Sequence, residues 1–449
     1  MDLLLAHAYY LGSDAEEQRI MRPHPPLGLL YLSSYLKARG VDVGLFDSTF
    51  QRLEDFEACV RRERPPMVGI AVNLMTKRNA LRMIAVAKSL GARVVLGGPD
   101  PPYYADEYLQ AGADVVVVGE GEQTLDELLR ADDLRTVGGI VFPGGRTPPR
   151  SQLPDLDAQP FPDRAAIDLE RYLSAWRSRH GFAPVSLITA RGCPYTCTWC
   201  SRSVFGTTHR RRSPQNVADE VEHVVERYRP DRLWYADDVF AIHRAWTIQY
   251  AVELQRRRIR LPYECISRAE RIDDAVADAL VELGCWRVWI GSESGSQRIL
   301  DAMQRKVSVE RVISACGLLR RRGIQVGMFI MLGYDGERPE DLQATVDHLK
   351  RAAPDIFLTT VSYPIKGTPY YDTVSSKIVA DKGWADRTDR DLSIAGRPSR
   401  RYYDFARRWI VGEVALHDSW RKGRYAQAVR AASSATVGRI GMRLTGGAA

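Results

Sequence analysis

The chain has 449 residues, too many for one ordinary hydrophobic core, so two or more domains are expected. Its 45% hydrophobic and 27% charged content is that of a folded globular protein, and no stretch approaches the ~18 consecutive apolar residues of a spanning helix. The net charge of +7 is unevenly placed: from Arg397 onward there are eleven Lys/Arg against three Asp/Glu, a net +8, leaving −1 for everything before. The opening Met1-Asp2-Leu3-Leu4-Leu5 has no basic region ahead of it and reads as a strand, not a signal peptide. Seven cysteines, three of them within eight residues, are not a secreted disulfide framework. They point to a reducing, cytoplasmic setting and to a metal or a reactive thiol.

The first third alternates short apolar runs with helical ones. Strands are expected at 3–9, 41–46, 67–72, 94–96 and 115–118, and helices at 27–39, 53–62, 77–90, 105–110 and 123–129. Fully apolar strands in βα alternation predict a doubly wound, Rossmann-like parallel sheet over 1–145, with a ligand crevice at the strand ends. Gly97-Gly98-Pro99-Asp100 and Gly119-Glu120-Gly121-Glu122 fall at such ends; they are either ligand loops or plain tight turns. Neither is a dinucleotide fingerprint and no Walker A motif occurs. Residues 146–174, rich in Pro and Asp, read as a linker.

Val185 to Ala190 is a strand that runs into Arg191-Gly192-Cys193-Pro194-Tyr195-Thr196-Cys197-Thr198-Trp199-Cys200. This C-x3-C-x2-C loop brings three thiolates to three corners of an iron–sulfur cube. A 4Fe–4S cluster with four cysteine ligands is closed, whereas three leave one iron open. The competing reading is a structural zinc site completed by His209, although the usual second C-x2-C pair is missing. Trp199 is either a cofactor neighbour or a core aromatic. Cys59, Cys265, Cys285 and Cys316 read as structural thiols.

Beyond the loop, strands at 232–236, 263–267, 287–290, 326–331 and 357–361 alternate with helices at 244–257, 273–283, 309–322 and 340–351. Six βα units over 175–375 make a partial (β/α)6 barrel whose site lies at the C-terminal strand ends. Asp237, Asp238, Arg268, Ser292 and Glu293 fall there, and Gly333 and Gly336 allow close backbone approach. The carboxylates also suit helix N-caps, and the run from His209 to Arg212 suits either a solvated loop or the steering of anions toward the cluster. Residues 376–449 are expected to form a basic, helical extension with apolar spacing through Phe405, Trp409 and Leu416, its end beyond Arg424 partly mobile.

These motifs resemble radical S-adenosylmethionine (SAM) enzymes, in the branch with an N-terminal cobalamin-binding-type domain. The resemblance rests on the cysteine loop and extends through Pro26 to Leu32, Gly119 to Glu122, Phe161 to Arg164, Arg212-Ser213-Pro214, Asp237-Asp238, Gly291 to Ser296 and Gly367-Thr368-Pro369. It implies a 4Fe–4S cluster held by Cys193, Cys197 and Cys200, and SAM cleaved reductively to methionine and a 5′-deoxyadenosyl radical. Cofactor contacts are implied for Tyr195, Trp199, Asp237, Asp238, Arg268, Ser292, Glu293 and Gly333. Cobalamin is left open: a D-x-H-x-x-G element is absent, and Asp100 stands where relatives often carry histidine.

The favoured outcome is abstraction of hydrogen from a small polar natural product, an amino sugar undergoing dehydration as in aminoglycoside dehydratases, with Asp335 or Asp238 as catalytic carboxylate. The alternative is a cobalamin-dependent C-methyltransferase, and a further one an RNA-modifying enzyme. Flavodoxin, ferredoxin or a dedicated reductase is the expected electron donor; a membrane is not an expected partner, and nucleic acid is disfavoured.

Overall fold

The computed structural model describes residues 1–446. The chain divides into two compact units: one is 1–194, 201–236 and 382–388, the other 195–200, 237–381 and 389 onward.

In the first unit, strands β1 (Leu3–His7), β2 (Val43–Phe46), β3 (Met67–Ala71), β4 (Arg93–Gly97), β5 (Val115–Val117), β6 (Ile140–Phe142) and β7 (Gly145–Arg146) form one sheet in the order β2-β1-β3-β4-β5-β6-β7. The first five strands are parallel, and β6 and β7 close the edge antiparallel. Alternate residues feed opposite faces. Leu4 and Ala6 of β1 enter an apolar cluster with Phe56, Val60, Met83 and Ile84 of helices α3 (Leu53–Glu63) and α4 (Lys77–Ser89). Leu3 and Leu5 enter another with Leu29, Leu36 and Leu125 of α2 (Leu27–Lys37) and α6 (Glu122–Leu128). This is the doubly wound arrangement. Residues 382–388 return to it, with Trp384 edge-on to Tyr108 at 4.8 Å.

Two features of this unit were not legible beforehand. Helix α1 (Ala15–Ile20) lies where no helix was expected, and α7 (Leu169–His180) starts inside the stretch read as linker, whereas α5 (Ala105–Gln110) has the expected bounds. Asp168 caps α7 by accepting from the Arg171 N–H, and Gly181 ends it at φ 76°. Strand β8 (Pro184–Leu187) follows. A short antiparallel pair, β9 (Ala190–Arg191) and β10 (Arg210–Arg211), then precedes α8 (Pro214–Tyr228) and β11 (Arg232–Tyr235), which pairs in parallel with β8.

In the second unit, β12 (Tyr263–Ser267), β13 (Cys285–Glu293), β14 (Gln325–Leu332) and β15 (Ile356–Val361) pair consecutively in parallel. Helices α9 (Arg244–Arg256), α10 (Asp274–Glu282), α11 (Gln297–Ala302), α12 (Val309–Arg321) and α13 (Pro339–Ala352) alternate with them. β8 and β11 of the first unit supply the other two of the six parallel strands expected for a partial (β/α)6 barrel. One face of β13 and of β14 is sealed: Val288, Ile290, Val326, Met328 and Ile330 are essentially inaccessible.

After α14 (Pro369–Val374) come two long helices, α15 (Arg400–Arg421) and α16 (Tyr425–Thr445). The expected mobile end is thus a helix as far as Thr445. Its small residues explain this. A Cβ at Gly438 would lie 2.5 Å from the Trp409 nitrogen, and one at Gly441 2.3 Å from the Phe405 ring. The helices touch where side chains are missing.

Candidate active site

On the side of the first unit, the cysteine loop is entered through a clamp of charge. Glu120 binds Arg191 at 2.8 Å and Arg210 at 2.7 Å, so one carboxylate ties β9 to β10, while Glu122 takes Arg191 at 2.8 Å. Both partners of each pair are largely buried, where an unpaired charge would be costly. The Gly119-Glu120-Gly121-Glu122 motif is therefore a clamp on arginine; sequence reading located the motif but not its partners, which lie some seventy to ninety residues onward.

Arg211 donates to Thr189 Oγ1 at 2.8 Å, and Arg212 joins Arg164 on Glu220. Burial alone would raise the Glu220 carboxyl, but Arg164 and Arg212 hold it below its ordinary range. The basic run after the loop is thus structural pairing, not a free anion-steering surface.

Gly192 turns the chain into the loop at φ 86°, where a Cβ would sit 2.0 Å from the Thr208 carbonyl. His209, considered for zinc, hydrogen-bonds the Gly192 carbonyl through Nδ1 at 3.1 Å and so braces that turn.

In the second unit, Cys197 is buried and its Sγ receives a hydrogen bond from Arg268 Nη1 at 3.4 Å. Burial pushes the thiol up and Arg268 pulls it partly back, so iron binding there is coupled to proton release. Arg268 also lies 3.7 Å over the Tyr195 ring and donates to Glu270 and to the Arg305 carbonyl. The Tyr195 hydroxyl accepts from Arg271 at 2.5 Å.

Glu293 ends β13 in the left-handed region, φ 65°, just past a bulge at Gly291. Burial drives its carboxyl up to about 8, moderated by Arg268, and Arg305 Nε is 3.8 Å away. Arg305 was not anticipated; in sequence it lies beyond α11 with no motif around it. Cys197, Tyr195, Arg268 and Glu293 are thus brought together, with Arg305 beside them.

Other expected residues are engaged elsewhere. Trp199 packs against Ile299, Met303, Tyr334 and Tyr370, its Nε1 buried without a hydrogen-bond partner among the described residues. Ser292 turns to the helix side, 2.8 Å from His348 Nε2 of α13. A Cβ at Gly333 would meet the Tyr403 ring at 2.8 Å, so the close backbone approach there is used by α15. Asp335 pairs with Lys377 at 3.2 Å. Asp237 is buried, whereas Asp238 is exposed. The protein around it raises its carboxyl, helped by Asp237.

Three of the seven cysteines lie on the loop; Cys265, Cys285 and Cys316 are buried on strands and a helix, and Cys59 lies on α3. For a corrin, the decisive residue is Asp100. It is buried and takes the Tyr108 hydroxyl at 2.5 Å, so one of its carboxylate oxygens is engaged within its own unit. Gly97, before it, faces open space. Asp100 therefore gives no argument against cobalamin, contrary to the sequence expectation.

Comparison with known proteins agrees. The family profile "Radical SAM superfamily" matches residues 187–349, and "B12 binding domain" matches 19–129. The chain carries a radical SAM domain and a B12-binding domain. An uncharacterized methyltransferase of Pyrococcus horikoshii is 27% identical over 384 residues, 82% of each chain. The anaerobic magnesium-protoporphyrin IX monomethyl ester cyclase of Rubrivivax gelatinosus is 29% identical, covering 79% of this chain and 67% of its own. In fold, the chain matches the radical SAM methyltransferase TsrM from Kitasatospora setae with cobalamin and a [4Fe-4S] cluster bound: TM-score 0.70, 21% identity, 86% of this chain and 79% of that one. Cluster, SAM and cobalamin are the cofactors of this architecture. The expected amino-sugar dehydration finds no support among these relatives. No described helix is long and apolar enough to cross a membrane.

Proposed function

We propose that the protein is a cobalamin-dependent radical SAM methyltransferase acting on a carbon of a small natural product. The observation that carries this reading is the first unit's match to the B12-binding domain, with Asp100 bonded to Tyr108 and Gly97 facing open space. Methyltransferases among the relatives and fold matches support it.

When bound, the cluster supplies the electron that cleaves SAM, and the corrin carries a methyl group. Cys193, Cys197 and Cys200 would hold the cluster. Arg268, bridging Tyr195, Cys197 and the Arg305 carbonyl, fixes the loop against the ends of the strands and places a positive charge beside a thiolate. Glu293, protonated up to about pH 8, can donate a hydrogen bond to a carboxylate or ribose oxygen. Asp238 presents the open carboxylate for an ammonium group. Asp335, tied to Lys377, is left without a catalytic part. Of the carboxylates expected at the strand ends, Glu293 lies beside Arg305 and Asp335 beside Lys377, while Asp238 is exposed. The electron comes from an acidic flavodoxin- or ferredoxin-type donor at the basic face of α15.

The test is product analysis under anaerobic conditions with dithionite and SAM. Protein loaded with iron, sulfide and hydroxocobalamin should yield both 5′-deoxyadenosine and S-adenosylhomocysteine. Protein loaded without corrin should yield 5′-deoxyadenosine alone. Equal S-adenosylhomocysteine from both preparations would defeat the proposal.

A further inference from the structure

The open face of β12–β15 carries a built apolar platform. In β13 and β14, Trp289 is paired with Gly327 and Gly291 with Phe329; Phe329 is in turn paired with Leu358 of β15. Pairing in register puts these residues on one face, opposite the sealed face of Val288, Ile290 and Met328.

Gly327 has a specific task there. A Cβ in its place would be 2.4 Å from the Trp289 ring, so the missing side chain lets the indole lie flat along the sheet. Glu264 fixes that orientation by accepting from Trp289 Nε1 at 2.8 Å. Phe329 stacks on the indole with centroids 5.0 Å apart and planes 14° apart. Trp289 is buried, yet Phe329 and Ile266 are only partly so, and Leu358 is 48% exposed. The result is a rigid two-ring stack with an accessible upper ring and aliphatic walls.

The polar groups on the same face are already used. Glu264 is bound to Trp289 and lies 3.5 Å from Arg287, and Glu293, which the bulge shifts to pair with Ile330, lies beside Arg305. A cation would find no open carboxylate on these four strands.

We propose that Phe329, Leu358 and Ile266 determine substrate specificity, and that the substrate's recognised part is a flat, uncharged ring stacked on Phe329. This deepens the methyl-transfer reading above by naming the substrate class. A planar ring gains stacking on an aromatic already held in place, without ordering a mobile side chain.

Saturation-transfer NMR on the full-length, cluster-loaded protein tests it, with indole as the neutral ring probe and glucosamine as the amino-sugar probe. Indole should receive saturation and glucosamine should not. Leu358→Lys and Phe329→Leu should each weaken the indole signal by about fivefold, the effect of losing one stacked or apolar contact. Unchanged thermal melting and SAM binding show that both variants are folded. Absence of an indole signal, an equal glucosamine signal, or an indole signal untouched by either substitution would each overturn the proposal. S-adenosylhomocysteine yield on the same samples reports separately on methyl transfer, so failure of one reading is distinguishable from failure of the other.

Discussion

Buried charge decides the most sensitive single positions. Glu220 is completely enclosed between Arg164 and Arg212, so Glu220→Gln leaves two guanidinium groups facing a neutral amide. The expected loss is about 3–5 kcal/mol, readable as a lower urea midpoint with an unchanged slope. Glu337 tests the opposite sign. Its Oε2 accepts from the Gly333 N–H at 2.6 Å, but Oε1 is buried with no partner among the described residues. Burial lifts its carboxyl from 4.5 to about 8. The folded state therefore keeps a proton that the unfolded chain gives up, and the stability this group contributes at low pH is lost as pH rises from about 4.5 to about 8. Glu337→Gln should flatten that decline and stabilise the protein at pH 9 by on the order of 1–3 kcal/mol relative to wild type. A parallel pH profile for the two proteins would contradict the assignment. Residue identity alone misled at Asp100: what a loop carboxylate can do depends on what it meets, and Tyr108, eight residues on, engages it.

At the level of elements, the long apolar strands and periodic helices were readable because period and composition agree, as in β1, β3, β14 and α8. Short or locally ambiguous elements were not. Strands β6 and β7 have three and two residues, too few for alternation to register. Helix α16 looked like loose Ala/Ser/Gly sequence because its glycines serve contact with α15, which no local pattern reveals. The three cysteines were legible from spacing, while their support by the β9–β10 clamp was not, since its partners are distant in sequence. Glu120→Ala should release Arg191 and Arg210 and loosen the loop's entry. Iron bound per chain after reconstitution should fall by half or more, with little change in far-ultraviolet dichroism; full iron loading would show the clamp to be dispensable. On α15, Arg407 and Arg408 are exposed. Reversing both to Glu should slow reduction by flavodoxin about tenfold at low salt while leaving dithionite reduction unchanged. Equal slowing with both reductants would instead mean a damaged cluster.

For the molecule as a whole, the fold follows from repeated βα patterning, and the chemistry follows from three thiols presented on one loop. What patterning could not supply was the identity of the second cofactor. A Rossmann-like sheet serves many ligands, and this one became specific only through the domain match and the Asp100–Tyr108 hydrogen bond. The substrate reading moves from a cationic sugar toward a neutral ring because of the Trp289–Phe329 stack, and two of the carboxylates legible in sequence, Glu293 and Asp335, lie beside an arginine and a lysine. Composition shows charges; only packing shows which of them are already spent.

The most direct measurement is corrin and iron content in one anaerobically purified and reconstituted sample of the full chain. The account predicts about one corrin and about four irons per chain, with iron lost and corrin retained when Cys193, Cys197 and Cys200 are all replaced by Ala. Full iron without corrin, after exposure to excess hydroxocobalamin, would contradict it.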